Sequence, residues 1–191
     1  MMSKTPQVRI IAGRLRGRLI KFPNHVAIRP TPQRVRETLF NWLMHEIRDA
    51  VCLDAFAGSG ALGFEALSRG AKQVYAVERN PTLLKALKEN AVCLNLSSWQ
   101  GSVGDFLTQN FFSNYFNVVF LDPPFKQNLL LPALQHLLDE HLLAKEHRVY
   151  FEVEKNFDLS QLPTCWVVLK NQVAGQVRYG LLQHTGDELM V

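Results

Sequence analysis

From Val51 to Val153 short apolar runs alternate with stretches of helical spacing, and no other feature constrains the fold of this chain as tightly. Val51–Phe56, Gln73–Val77 and Val118–Leu121 are largely apolar and rich in β-branched and aromatic residues, as strands buried on both faces of a sheet are. Helical patterns follow the first run to about Arg69, follow the second over Pro81–Leu94 with Asn80 as cap, and recur at about Leu129–Leu142. Strand-like Ser97–Val103 leads to Gly104-Asp105 and a short helix through about Asn110, and a further strand is expected at Arg148–Val153. Such alternation predicts an α/β fold with a parallel, doubly wound sheet. Past a turn near Pro163, Cys165–Leu169 and Gln176–Gln183 read as an antiparallel pair, which makes the expected sheet seven-stranded, mostly parallel, with an antiparallel last strand. In the strand order 3-2-1-4-5 the first and fourth strands adjoin, and ligands bind outside their carboxyl ends.

Both of those strands end in residues that make poor core. Val118–Leu121 runs into Asp122-Pro123-Pro124-Phe125. Proline has no N–H for a ladder, so the chain leaves the sheet there as a stiff corner that presents a carboxylate, free carbonyls and a ring. Carboxylate and carbonyl oxygens accept from a planar NH2 group, and an aromatic ring stacks on a flat heterocycle. That chemistry suits the exocyclic amine of a nucleobase; the plainer reading is a helix cap on a turn, with Phe125 in the core.

The first strand runs through Asp54 and Phe56 into Gly58-Ser59-Gly60 and Gly63. Glycines let the backbone approach a ligand closely, and a following helix N-terminus favours electron-rich groups. Glu78 stands at the tip of the second strand, about 20 residues on, where an acid binds ribose hydroxyls. The glycines fit a dinucleotide enzyme equally well. Asp54 ahead of the first glycine, positioned for the amino group of a methionine moiety, and the Asp122 corner, which has no role in hydride transfer, favour S-adenosylmethionine.

Charge divides the chain. Residues 1–36 carry nine basic side chains and no acid, whereas the rest carries 12 basic and 17 acidic ones. This polarity predicts a basic extension over residues 1–30 that contacts nucleic-acid phosphates through Arg9, Arg14, Arg16 and Arg18, ahead of a catalytic domain over 31–191. A solvated tail has no use for Val8, Ile10, Ile11, Leu15, Leu19, Ile20 and Phe22, so Val8–Ala12 and Arg18–Phe22 are expected to pair as a hairpin. Thr31 and Pro32 then open a helix, as cap and first residue, with an apolar face of Val35, Leu39, Phe40, Leu43 and Ile47. Arg34 and Arg36 in its first turns are read as closing over the cofactor or binding phosphate, against the alternative of helix-surface charges. Trp42, Trp99 and Trp166 sit in apolar patterns and read as packing. Cys52, Cys93 and Cys165 lack metal-ligand spacing, as do the six histidines, so no metal is expected and the thiols are read as reduced. No run of about 18 apolar residues predicts a membrane span, and the start lacks a signal-peptide pattern, which leads to a cytoplasmic expectation.

Arg9-Ile10-Ile11-Ala12-Gly13, Arg16-Gly17-Arg18, the block from Arg29-Pro30-Thr31 through Arg34-Val35-Arg36-Glu37-Thr38-Leu39-Phe40-Asn41-Trp42-Leu43, Asp54–Gly60 and Asp122–Phe125 together resemble the bacterial RsmD family, 16S ribosomal RNA guanine-N2 methyltransferases. The resemblance covers nearly the whole chain. Ala12 departs from it, where the family usually has a second glycine. The resemblance implies a Rossmann-like class I methyltransferase that uses S-adenosylmethionine, held by Asp54, Phe56, Gly58, Ser59, Gly60, Glu78, Arg79 and Asp105, with catalysis at Asp122, Pro123, Pro124 and Phe125. An acid placed like Asp105 meets the adenine amine in similar enzymes, and helix capping is its rival role. The implied partner is 16S RNA, the small ribosomal subunit or an assembly intermediate. An adenine-N6 methyltransferase on DNA or RNA remains open from the tetrapeptide alone, as does a non-catalytic RNA-binding assembly factor; a dinucleotide oxidoreductase lacks any evident acid or base for hydride transfer.

Overall fold

The structure is a computed structural model, and it describes residues 6–24, 28, 30–109 and 115–186. Lys4 and Arg29 of the basic segment lie outside the described residues. A hairpin of β1 (Gln7–Arg9) and β2 (Leu19–Lys21) comes first, followed by helix α1 (Gln33–Trp42). The body alternates β3 (Val51–Asp54), α2 (Ala61–Ser68), β4 (Gln73–Glu78), α3 (Pro81–Cys93), β5 (Trp99–Val103), β6 (Phe116–Leu121), α4 (Leu130–Asp139) and β7 (Leu143–Glu154), and closes with β8 (Trp166–Ala174) and β9 (Val177–His184).

Seven strands form one sheet in the order β5-β4-β3-β6-β7-β9-β8. All the pairings among β3 to β7 are parallel, and β9 alone runs against its two neighbours. Each strand alternates its side chains between two layers. Cys52, Val74, Val118, Phe120 and Tyr150 face a core shared with α1, α2 and α3. Leu53, Val77, Val119, Leu121 and Phe151 face a second core under α4. The chain therefore crosses from one face of the sheet to the other between β3 and β6, and the cleft this opens is the expected ligand position.

The hairpin is shorter than expected but is packed on the body. Val8, Ile10, Ile20 and Phe22 belong to the same core as α1 and α2. Asn90 of α3 grips β2 from both sides: its Oδ1 accepts from Lys21 N at 3.0 Å and its Nδ2 donates to Lys21 O at 2.7 Å. Gly13 allows the turn to touch α2. Its φ is +80°, and a Cβ there would lie 1.9 Å from the Ser68 carbonyl oxygen. Helix α1 ends at Trp42 instead of reaching Ile47, although Leu43 and Ile47 are buried as its apolar spacing required. The expected short helix after Gly104-Asp105 is one 3-10 turn, Phe106–Thr108. The three tryptophans are packing residues: Trp42 stacks on Tyr179, Trp99 on Phe64, and Trp166 meets His184 edge-on. No helix among the described residues is long and apolar enough to cross a membrane.

Candidate active site

A cleft of about 440 Å³ opens at the carboxyl ends of β3, β4 and β6. That volume falls within the roughly 300–1,000 Å³ of small-molecule sites. Asp54 and the turn Ala55–Ser59 form one wall, and Asp122–Phe125 line the other. The two segments are far apart in sequence and are brought together because β3 pairs with β6, with Asp54 beside Phe120 and Ala55 N donating to Phe120 O at 3.1 Å.

The glycine turn is shaped by positions that side chains disfavour. Gly58 and Gly60 have φ of +51° and +73°. A Cβ on Gly60 would come within 2.6 Å of Leu87 and 2.8 Å of Phe64, so the turn packs directly on α2 and α3. Glu78 ties it to β4: Oε2 accepts from Gly58 N and Oε1 from Asn80 N, both at 2.8 Å. A carboxylate has about four acceptor positions, so both oxygens retain capacity toward the cleft. Asp54 is 2% exposed, and its Oδ2 accepts from Gly63 N at 3.1 Å. Burial lifts its carboxyl to about 7; the Gly63 bond opposes the rise, and the charges of Asp122 and Glu78 add to it. A bound cation would favour the ionised form.

Asp105 is not among the residues that line the cleft. Its Oδ1 accepts from Leu107 N at 3.1 Å as a cap, and Oδ2 takes a 2.7 Å ion pair from Arg79. The cleft is lined at that point by Gly104 and Phe106. Of the two roles open to Asp105, helix capping is present, together with an ion pair to Arg79 that braces the cleft wall. Arg79 lines the cleft with that ion pair at its tip.

At the other wall Pro123 is buried while Pro124 and Phe125 are exposed, Phe125 at 37%. A ring that open beside the cleft is available for stacking and is not core. Asp122 is half-buried, and its Oδ2 accepts a hydrogen bond from Thr31 Oγ1 at 3.1 Å. Thr31 was expected to cap α1. Pro32 holds the cap position instead, without a side-chain bond, and the Thr31 hydroxyl is turned to the acid across the cleft floor. Beneath lies Glu152 of β7, 3% exposed, whose Oε1 accepts from Tyr150 OH at 2.7 Å. Burial raises Asp122, with the Thr31 bond pulling the other way. Burial and then the charge of Asp122 raise Glu152. Thr31 and Glu152 were not singled out in the sequence as site residues. An acid inside the apolar run Val149-Tyr150-Phe151-Glu152-Val153 is a legible signal, since a lone carboxyl has no reason to sit in a buried strand.

Of the six arginines read as nucleic-acid contacts, Arg9, Arg14, Arg16, Arg18 and Arg34 are exposed. Arg36 is corrected. It is 3% exposed, and its guanidinium donates to Thr31 O at 3.2 Å and Arg9 O at 3.0 Å and lies 3.6 Å from Glu65. No phosphate can reach a group so enclosed. Glu65, fully buried, also accepts from Ile11 N and Ala12 N and pairs with Arg69. Arg36 and Glu65 thus clamp the hairpin, the cleft floor and α2 together. Among the described residues no group of three or more acids, histidines and cysteines stands as a metal cage.

Residues 8–183 match a family described as conserved hypothetical protein 95. A ribosomal RNA small subunit methyltransferase D of Haemophilus influenzae is 46% identical over 183 residues, which span 93% of this chain and 94% of that one. Its counterpart from Escherichia coli K12 is 43% identical over 184 residues, 95% of this chain and 92% of its own. The solved structure of the Escherichia coli protein yhhF superposes with a TM-score of 0.83 at 42% identity, covering 94% of this chain and 98% of that one.

Proposed function

The chain belongs to the RsmD family of ribosomal RNA small subunit methyltransferases, and we propose that it transfers a methyl group from S-adenosylmethionine to the exocyclic N2 amine of a guanine in 16S RNA. One observation carries this reading: the Asp122-Pro123-Pro124-Phe125 corner and the Asp54–Ser59 turn line opposite walls of one cleft.

The cleft fits such a donor. Carboxyls at the ends of β3 and β4 suit an ammonium group and a pair of hydroxyls, and the apolar surfaces of Phe56, Leu83 and Phe106 suit a flat ring. Asp54 would hold the ammonium, Glu78 the hydroxyls, and the backbone of Gly58, Ser59 and Gly60 would close over the chain between them. When bound, the donor supplies a methyl carbon on a cationic sulfur, so the N–C bond forms as the C–S bond breaks and the sulfur keeps the electron pair.

The residues of this chain act on the amine. Its lone pair is delocalised into the ring, which makes it a weak nucleophile. Acceptance of its hydrogens by Asp122 and by the Pro123 carbonyl favours a pyramidal nitrogen with the lone pair free, and Phe125 stacks on the base. Positioning and a fixed charge supply the acceleration, since the leaving group is already good. The exposed arginines of the hairpin would hold phosphates, which gives affinity without sequence information. The clamp at Arg36 and Glu65 fixes that surface relative to Thr31 and therefore to the amine site.

Reaction with labelled donor, digestion of 16S RNA or assembled small subunits, and separation of nucleosides tests the reading. Label in N2-methylguanosine supports it. Label in N6-methyladenosine would transfer the same chemistry to another base.

A further inference from the structure

The amine site holds a second acid that the transfer chemistry just described does not use. In the parallel pairing of β6 with β7, Phe120 stands beside Tyr150 and Leu121 beside Phe151. The next step of that register sets Asp122 beside Glu152, and both line the cleft. Like charges side by side on a sheet repel. Among the described residues the surrounding polar groups are Thr31 ahead of α1, Tyr150 on β7, Tyr179 opposite Glu152 on β9, and Asp54 on β3. Thr31 hydrogen-bonds both carboxyls, Tyr150 donates to Glu152, and Asp54 is another acid. Among the described residues no basic side chain forms an ion pair with Asp122 or Glu152. Two uncompensated charges in that position would cost far more than one.

We propose that Glu152 is the proton-bearing partner of Asp122, a positioning residue that leaves the carboxyl pair one negative charge and keeps that charge on Asp122, facing the amine. The proposal rests on the assignment of Asp122 as the amine acceptor. Depth sorts the two groups. Asp122 is half-buried at the cleft surface, where water and the amine reach it, while Glu152 is enclosed beneath. Thr31 donates to Asp122 and so favours its charge; the hydroxyls of Tyr150 and Thr31 favour a charged Glu152 too, but there burial outweighs them. Burial, followed by the charge of Asp122, holds Glu152 well above the usual carboxylate range. After the N–C bond forms, the nitrogen carries one hydrogen too many. It passes this proton to Asp122, both carboxyls are then neutral, and the proton leaves from Asp122 to water at the open mouth. A second charge on Glu152 would instead hold the pair's proton too tightly to be released between turnovers.

Glu152→Gln preserves the neutral shape and is the primary test, with Asp122→Asn as its control. Single-turnover methylation across about pH 5–9 and difference infrared spectra are measured on both variants and on the wild type. Glu152→Gln is expected to leave the acidic limb, set by Asp122, where it was. The wild type at pH 7 should show a protonated-carboxyl band that Glu152→Gln lacks. An acidic limb displaced downward by about one pH unit in Glu152→Gln would mean that a charge had been removed, and would overturn the proposal. Identical carboxyl bands in the two proteins would overturn it as well. Wild-type turnover by Asp122→Asn is a different failure, that of the amine-site assignment itself.

Discussion

The Thr31 hydroxyl donates to Asp122 across 3.1 Å, which joins the loop ahead of α1 to the corner after β6. This bond lowers an acid that burial raises. Thr31→Val removes it, so the folded pKa of Asp122 rises and its ionised fraction at neutral pH falls. The acidic limb of the methylation rate should move to higher pH, with the rate at pH 7 several-fold lower and donor affinity unchanged. Thr31→Ser should restore the wild-type profile. A pH–rate series on the three proteins checks this.

Asp54 gives a prediction of the opposite kind, in which binding and stability conflict. Its folded pKa, about 7, lies above the unfolded value near 3.9. The group therefore favours the folded state fully below about pH 4, and that contribution is lost as pH rises toward 7, by up to roughly 1.4 kcal/mol per pH unit. Asp54→Asn should raise the melting temperature of the ligand-free protein at pH 8, with a difference that shrinks toward pH 4. The same variant should bind the methyl donor about tenfold more weakly or worse, because a cationic group loses a charged acceptor. Thermal melts at two pH values and calorimetry of donor binding read both effects.

The hairpin is best tested by charge and not by deletion, since Val8, Ile10 and Ile20 are core residues and truncation would unroof α2. Arg14→Ala with Arg16→Ala should weaken RNA binding and flatten its dependence on log salt by roughly 0.7–0.9 for each phosphate that is no longer neutralised. Donor binding and melting temperature should hold. Arg36→Ala should do the reverse: it leaves Glu65 short of a buried partner and should cost roughly 3 kcal/mol or more of stability, with little change in salt slope. A filter-binding series in increasing salt, set beside melting curves, separates the two roles.

The sheet was legible because its strands are near-continuous apolar runs, and β3 and β6 were expected as neighbours from the 3-2-1-4-5 strand order common to such alternating chains. The Asp122 corner was legible because prolines cannot continue a strand. What escaped were partnerships between distant segments. Thr31 has every local mark of a cap, yet its hydroxyl serves an acid 91 residues away. Arg36 looks like a surface charge on a short helix until Glu65 is seen buried beneath it. Asp105 had two roles open, and Arg79, 26 residues upstream, takes the oxygen that capping leaves free. Glu152 stood in plain sight in an apolar run, but its meaning depends on the β6–β7 register, which no local pattern encodes.

The most direct test of the account is the single-turnover rate of methyl transfer by Asp122→Asn, at saturating S-adenosylmethionine, on small ribosomal subunits. The account predicts donor affinity within about twofold of wild type and a rate lower by about a hundredfold or more, as when a group that acts on the transition state is lost. A variant that binds the donor and transfers the methyl group at close to the wild-type rate would contradict it.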